Sequence, residues 1–244
     1  MIETQGLHKR FGKTVAVEEV SFTARDGGVT ALLGPNGAGK TTSLRMLYGL
    51  LQPDAGRALV DGHEAATDPL ATQRRLGVLP DSTGLYGRLT AREQLRYAAR
   101  LQGLSSREAE ERAAWLIDRL DMRGITDRPS AGFSQGERRK VALGRALIHD
   151  PRNVVLDEPT NGLDVPSTRA MRRFVRELAD SGRCVLFSTH ILQEVSAVCD
   201  RVVVIARGRV AAEGTPAELV ERTGEANLED AFVRLIGTEE GLGA

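Results

Sequence analysis

The feature that most constrains the fold of this chain is a glycine-rich loop between an apolar run and a helix-like segment. The run Val29 to Leu33 precedes the loop, and apolar residues recur with helical spacing after it. The loop matches the pattern GxxxxGKT and consists of Gly34, Pro35, Asn36, Gly37, Ala38, Gly39, Lys40, Thr41 and Thr42. In such a loop the backbone N–H groups bind phosphate oxygens, the lysine reaches the β and γ phosphates, and the threonine hydroxyl binds Mg²⁺. The pattern therefore predicts a strand, loop and helix that bind a nucleoside triphosphate with Mg²⁺. The alternative, a glycine turn beside a surface lysine, is much weaker in this context.

A second apolar run ends in two adjacent carboxylates. Asp157 closes the run that begins at Val154, and a parallel strand there would end beside the glycine loop. Asp157 would then face the Mg²⁺ coordination shell, while Glu158 would point elsewhere. The alternative is a solvated turn before Pro159. Because the loop and the carboxylates occur in one chain, we predict that Asp157 and Thr41 are metal ligands.

The remaining patterns predict an α/β fold. Near-continuous apolar runs indicate buried parallel strands at 76–79, 154–156, 185–187 and 202–205. Alternating segments at 2–8, 15–24 and 56–60 indicate antiparallel strands. Capping boxes, in which Ser or Thr is followed three residues later by Glu, mark helix starts at Thr90, Ser105 and Ser134. We therefore expect a P-loop NTPase core of mainly parallel sheet, with an antiparallel β flank and an inserted helical subdomain.

The length of the chain and the distribution of helical and strand patterns along it predict one domain over residues 1–244. Residues 1–83 and 149–214 are expected to form the core lobe, 84–148 the helical subdomain, and 215–244 a short C-terminal helical tail. The side chains of Trp115, Cys184 and Cys199 fall within helical or strand patterns and are predicted to pack in the interior.

Charge and cysteine content limit the possible partners. Lys plus Arg and Asp plus Glu number 33 each, so the basic footprint of a dedicated nucleic-acid binder is absent. Two cysteines and no apparent leader predict cytoplasmic residence without a disulfide framework. The apolar stretches are far shorter than the roughly 20 residues that span a bilayer, so a role at the membrane needs a partner.

Three elements in order resemble the nucleotide-binding domain of ABC transporters, and the resemblance covers residues 1 to about 215. These elements are the glycine loop, the helix start Phe133-Ser134-Gln135-Gly136-Glu137, and the segment Leu156-Asp157-Glu158-Pro159-Thr160-Asn161-Gly162-Leu163-Asp164. The resemblance implies ATP hydrolysis. It also implies that the helix start, LSGGQ in its usual form, contacts the γ-phosphate of ATP held by an opposing subunit. Ser134 with Glu137 is equally a capping box, and the two roles are compatible.

The resemblance assigns roles to further residues. Glu158 is the implied general base or water-orienting group, and His190 the implied switch histidine at the γ-phosphate. Asp164 lies in the implied D-loop, which crosses the dimer interface. Phe11 falls where the family places an aromatic ring on adenine, although a core phenylalanine beside a turn is also possible. Asp81 replaces the usual glutamine of the Q-loop, which links Mg²⁺ and the attacking water to the membrane partner. Its carboxylate is a hard oxygen ligand, so Asp81 is the third expected Mg²⁺ residue beside Thr41 and Asp157.

Within the family, residues 79–93 and Phe-Ser-Gln-Gly resemble the sodium-exporter NatA group. The implied function is that of an ATP-hydrolysing subunit that dimerises head to tail, most simply with a second copy, and drives a separate integral membrane permease, most simply an exporter. It would then lie on the inner face of the cell membrane. The alternative is a soluble ABC ATPase in cofactor assembly, repair or translation. Arginines at 88, 92, 96 and 100 recur on one helical face, either solvated or docked on the permease.

Overall fold

The computed structural model describes residues 1–82 and 84–237. Thr83 and residues 238–244, the end of the expected C-terminal tail, lie outside the described residues. The strands are β1 (Ile2–Phe11), β2 (Thr14–Ala24), β3 (Val29–Leu33), β4 (Ala55–Val60), β5 (His63–Glu64), β6 (Leu76–Leu79), β7 (Asn153–Asp157), β8 (Cys184–Thr189), β9 (Arg201–Ala206) and β10 (Arg209–Gly214). The helices are α1 (Lys40–Leu47), α2 (Pro69–Arg74), α3 (Ala91–Leu101), α4 (Ser106–Arg119), α5 (Gln135–Leu147), α6 (Val165–Asp180), α7 (Leu192–Val198), α8 (Pro216–Thr223) and α9 (Leu228–Ile236).

A six-stranded sheet forms the centre of the fold, in the order β10-β9-β3-β8-β7-β6. Its strands are parallel except for β10, which pairs antiparallel with β9 at one edge. Every residue of β3, β7 and β8 is buried. Strands covered on both faces need apolar residues throughout, which is why these segments are continuous apolar runs in the sequence. The predicted α/β class with a mainly parallel sheet is confirmed.

A second sheet, in the order β2-β1-β4-β5, is entirely antiparallel and forms the predicted flank. Its inward-facing residues pack with α1 and one face of the parallel sheet in a shared core that includes Leu7, Val20, Leu32 and Leu44. This packing holds α1, and with it the glycine loop, between the two sheets.

The helices α3, α4 and α5 pack on one another around Leu95, Leu116, Met122 and Leu143. The three predicted capping boxes at Thr90, Ser105 and Ser134 all form. Gly144 on α5 permits the close approach of α3, because a Cβ at this glycine would lie 2.8 Å from Leu95 Cδ2.

One packing prediction is wrong. Trp115 is 47% exposed, because it lies on the outward side of α4 with the Arg112 guanidinium 4.8 Å above its ring. Cys184 is buried as predicted, and its burial raises the pKa of the thiol to about 12. Cys199 is partly buried and packs against the core.

Parallel strands bring their carboxyl ends to one edge of the sheet, so the residues that follow β3, β6, β7 and β8 gather there. Those residues include the glycine loop, Asp81, Glu158 and His190. Among the described helices, none combines the length and the apolar character that crossing a bilayer requires.

Candidate nucleotide site

The glycine loop connects β3 to α1 and is held tightly by neighbouring backbone. A Cβ on Gly34 would lie 2.2 Å from the carbonyl oxygen of Ile205, and a Cβ on Gly39 would lie 2.6 Å from that of Ala16. Gly39 also has φ +106°, a conformation that L side chains rarely adopt. The loop therefore needs glycine at both positions so that its backbone can pass between β9 and β2.

Lys40 begins α1, and its side chain curls back over the loop. Its Nζ donates to the carbonyl oxygens of Gly34 at 2.6 Å and Pro35 at 3.1 Å, and lies 3.6 Å from Glu158 Oε1. Only 6% of Lys40 is exposed. This burial lowers the pKa of the Lys40 ammonium, while the nearby Glu158 carboxylate opposes the shift. The ammonium is thus a desolvated cation at the mouth of the loop, positioned to meet phosphate oxygens.

Asp157 has one carboxylate oxygen bound and one without a partner. Its Oδ1 accepts from Ser188 Oγ at 2.5 Å and from Thr41 Oγ1 at 3.3 Å. Its Oδ2 is buried and has no hydrogen-bond partner among the described residues. An ionised oxygen in this environment is costly unless a cation neutralises it.

These oxygens fit Mg²⁺. A carboxylate beside a threonine hydroxyl is the hard oxygen donor set that Mg²⁺ prefers, with water and phosphate oxygens completing the shell. The described residues contain no group of three or more His, Cys, Asp or Glu side chains that could hold a metal by themselves. Thr41 and Asp157 would therefore hold a metal that arrives with a phosphate ligand.

Glu158 points away from Asp157 because its backbone is left-handed, with φ +48°. Its N–H donates to the carbonyl oxygen of Ser188 at 3.2 Å and to Ser188 Oγ at 3.0 Å, which holds this unusual turn. The side chain then reaches His190, whose Nδ1 lies 3.0 Å from Glu158 Oε2. Glu158 is 13% exposed and His190 42% exposed, so the pair opens to solvent on the histidine side.

A cleft of about 450 Å³ joins these groups. It is lined by Ala16, residues 36–42 of the glycine loop, Asp81, Glu158, Asn161 and His190. Gly34 and Pro35 lie behind it and accept from Lys40. The structure thus brings together Lys40, Thr41, Asp81, Glu158 and His190, which are far apart in the sequence.

Asp81 lies in the loop after β6 and is 58% exposed. Its carbonyl oxygen accepts from Arg139 Nη1 at 3.0 Å, and its Oδ1 lies 3.9 Å from Arg139 Nη2. No pattern in the sequence indicated that a buried arginine of α5 would contact this loop.

The segment from Ser134 to Glu137 does not line the cleft of its own chain. Ser134 caps α5: its Oγ accepts from the Glu137 N–H at 3.2 Å, and its own N–H donates to Glu137 Oε2 at 2.7 Å. The Ser134 N–H and the nearby Arg128 hold the pKa of Glu137 below its ordinary value. Arg128 Nη1 lies 3.3 Å from Glu137 Oε1, so the negative charge of Glu137 is partly balanced within the chain.

The two residues between Ser134 and Glu137 lie in the first turn of α5. Gln135 Nε2 donates to the Asn161 carbonyl oxygen at 3.1 Å, and Gly136 follows it in the same turn.

Asp164 and Phe11 lie at the edges of the site. Asp164 caps α6, because its Oδ1 accepts from the Ser167 N–H at 2.9 Å. Phe11 ends β1, is 51% exposed and does not line the cleft. The alternative of a core phenylalanine is therefore wrong.

A buried polar group that was not predicted from the sequence lies behind His190. Glu194 on α7 is 2% exposed and accepts from Thr189 Oγ1 at 2.6 Å and from Thr160 Oγ1. It ties the loop after β7 to the end of β8, one residue before the histidine. Its position four residues after His190 was the only signal, and nothing in the sequence indicated its burial.

Comparisons with known proteins show what the chain is similar to. The family model for ABC transporters matches residues 17–161. The ABC transporter ATP-binding protein NatA of Bacillus subtilis (strain 168) is 44% identical over 219 residues, which cover 89% of each chain. A Nod factor export ATP-binding protein I of Burkholderia lata is 39% identical over 220 residues, which cover 90% of this chain and 72% of that protein. A solved structure of an ATP-binding subunit of an ABC transporter superposes with a TM-score of 0.88 at 32% identity, covering 96% of this chain and 99% of the other.

Proposed function

The chain belongs to the ABC transporter family as an ATP-binding subunit that hydrolyses ATP, and we propose that it drives a separate integral membrane permease as one half of a head-to-tail dimer. The observation that carries the proposal is the cleft where Lys40, Glu158 and His190 meet. A phosphate cradle, a carboxylate and a partly exposed histidine in one cleft suit the hydrolysis of ATP.

The residues divide the chemistry between them. Lys40 and the backbone of residues 34–42 bind the phosphates, and Thr41 and Asp157 would hold Mg²⁺. Bound Mg²⁺ would neutralise charge on the phosphate oxygens. Glu158, held by its turn and by His190, orients the attacking water or accepts its proton. Asp81 lines the same cleft, and its carboxylate would respond to the bound metal.

A second subunit completes the site. Ser134 and Gly136 lie outside the cleft of their own chain, at a helix start whose N–H groups suit an anion. We place them on the γ-phosphate of ATP bound to a second copy, with Gln135 and Glu137 alongside. The turn that ends at Asp164 crosses the same interface, and Phe11 contacts the adenine ring.

The permease docks in an apolar groove rather than on the arginine face. Arg92 and Arg96 pair with Glu110, and Arg92 also pairs with Asp127, so these arginines are engaged within the helical region. A groove of about 340 Å³ lies nearby, and Leu50 and Leu101 on its rim are 73% and 70% exposed. Apolar side chains that are exposed together beside one groove suit a protein contact.

Two consecutive residues belong one to the groove and the other to the cleft. Pro80 lines the groove, and the adjacent Asp81 lines the cleft. Movement of a cytoplasmic segment of the permease against Pro80 would therefore displace Asp81, which faces the nucleotide. The subunit would lie against the inner face of the membrane, and the direction of transport is export, as in the Nod factor relative.

Hydrolysis and dimerisation test the ATPase half of the proposal. Glu158→Gln should lower hydrolysis at least about 100-fold and retain ATP binding, whereas Glu111→Gln on the surface of α4 should change neither. In the Glu158→Gln background, ATP should produce a dimer by size exclusion. Adding Ser134→Asp should abolish that dimer, while the matched cap change Ser105→Asp should not. Near-normal hydrolysis by Glu158→Gln would show that Glu158 is not the group that orients the attacking water or accepts its proton.

Recovery with membranes tests the permease half. The subunit should sediment with membranes only when its permease is co-expressed. Leu50→Glu with Leu101→Glu should abolish that recovery and leave ATP hydrolysis intact. Val233→Glu on α9 serves as the control and should change neither. If the double variant still sedimented fully with the membranes, the permease would dock elsewhere than in the groove.

A further inference from the structure

Arg139 is a buried cation that no step of the proposed reaction uses. It lies on the second turn of α5 and is 3% exposed. Its Nη1 donates to the carbonyl oxygens of Pro80 at 3.4 Å and Asp81 at 3.0 Å, and its Nη2 donates to that of Asn161 at 3.5 Å. One guanidinium therefore joins α5 to two separate loops, and Asp81 and Asn161 in those loops both line the cleft.

The positive charge of Arg139 is balanced by nearby carboxylates, and one of them forms an ion pair with it. A buried guanidinium is costly unless acidic groups balance it. The carboxylates of Asp81, Asp157 and Glu158 all stabilise its charged form, against burial, which lowers the pKa of Arg139. Of these three, Asp81 makes the ion pair, with Oδ1 3.9 Å from Nη2.

A second side chain of α5 supports the same arrangement. Gln135 precedes Arg139 by four residues, so the two share one face of the helix. Gln135 donates to the same Asn161 carbonyl oxygen. It packs against Gly162, where a Cβ would lie 2.0 Å from Gln135 Nε2. The turn after Asn161 is thus held against α5 by two donors and a close contact.

We propose that Arg139 is a positioning residue whose charge offsets that of Asp81 and whose guanidinium ties the Asp81 loop and the Asn161 turn to the start of α5. This inference rests on the proposed nucleotide site and extends it. Without the arginine, the carboxylate of Asp81 faces the phosphates uncompensated and repels them. Without the carboxylate, the excess positive charge of the arginine attracts them. The two single changes therefore act on nucleotide affinity with opposite signs.

The test measures the Kd of a fluorescent ADP for the full chain in EDTA, without Mg²⁺, so that the charge of Asp81 acts on the phosphates directly; it requires no hydrolysis. Arg139→Gln should weaken binding about tenfold, and Asp81→Asn should strengthen it severalfold. The double variant should return to within about threefold of the unchanged chain. Arg138→Gln is the matched control on the same helix, because Arg138 donates to Phe133 and Ala131 instead, and its Kd should not change.

The outcomes separate this inference from the proposed function. A double variant as weak as Arg139→Gln alone would show that the charge of Asp81 is not what Arg139 offsets. If Arg139→Gln does not fold, Asp81→Asn decides alone, since Asp81 is exposed, and unchanged or weaker binding by this variant would overturn the proposal. If the unchanged chain bound the nucleotide without hydrolysing it, the ATPase assignment would fail while the compensation could still be measured.

Discussion

The three helices α3 to α5 and the nucleotide cleft are organised in opposite ways. In the helices, the decisive contacts are local: Thr90, Ser105 and Ser134 each cap a helix through a glutamate three residues later. In the cleft, the decisive contacts join distant segments, such as Ser188 with Asp157 across 31 positions. Local contacts can be recognised in the sequence, whereas distant contacts exist only after the sheet has brought its strands together.

The cleft holds buried polar groups, whereas the surface of α4 holds exposed ones. Asp157 and Glu194 are 1% and 2% exposed, whereas Arg107 and Glu111 on α4 have exposures of 82% and 62%. Removing a partner from a buried polar group leaves the other partner unsatisfied, but at the surface water replaces it. The same kind of substitution should therefore have very different costs in the two regions.

The largest effect is expected at Glu194. Glu194→Ala leaves the buried hydroxyls of Thr189 and Thr160 without their acceptor, so the free energy of unfolding should fall by about 3 kcal/mol. Hydrolysis should also fall, because Thr189 positions His190. Glu194→Gln retains the shape and one acceptor and should cost about 1 kcal/mol. Urea denaturation measures both values.

The control for Glu194 is Glu221→Ala, a change at an exposed position on α8. Its free energy of unfolding should stay within about 0.5 kcal/mol of the unchanged chain. Equal losses for Glu194→Ala and Glu221→Ala would contradict the view that the cleft depends on buried distant contacts.

A smaller effect is expected at two matched helix caps. Ser105→Ala and Ser134→Ala each remove the side-chain acceptor of a capping box and should each cost about 1 kcal/mol. Only Ser134→Ala should also weaken ATP-driven dimerisation, measured by size exclusion in the Glu158→Gln background. If both caps reduced dimerisation equally, the effect of Ser134 would be one of helix stability alone.

The sequence predicted those parts of the fold whose cause lies within a few residues or in a run of one type. The buried strands, the antiparallel flank, the three capping boxes and the glycine loop belong to this group. Burial set by distant packing was not predicted: Trp115 lies exposed, and Glu194 and Arg139 are buried. An isolated charged residue has the same local pattern whether it is solvated or enclosed, so only the assembled fold distinguishes these cases.

The smallest effect is expected at the exposed pair of Arg107 and Glu111, which lie four residues apart on α4 with Nη1 and Oε1 separated by 3.4 Å. Exposed pairs of this spacing contribute about 0.3 to 0.5 kcal/mol, because water and salt screen the charges. Arg107→Ala should therefore lower the free energy of unfolding by less than Ser105→Ala on the same helix, and the loss should shrink further in high salt. Urea denaturation at low and high ionic strength measures this. A loss at Arg107 as large as at Ser105, and independent of salt, would mean that surface charge stabilises the helical region as strongly as its caps do.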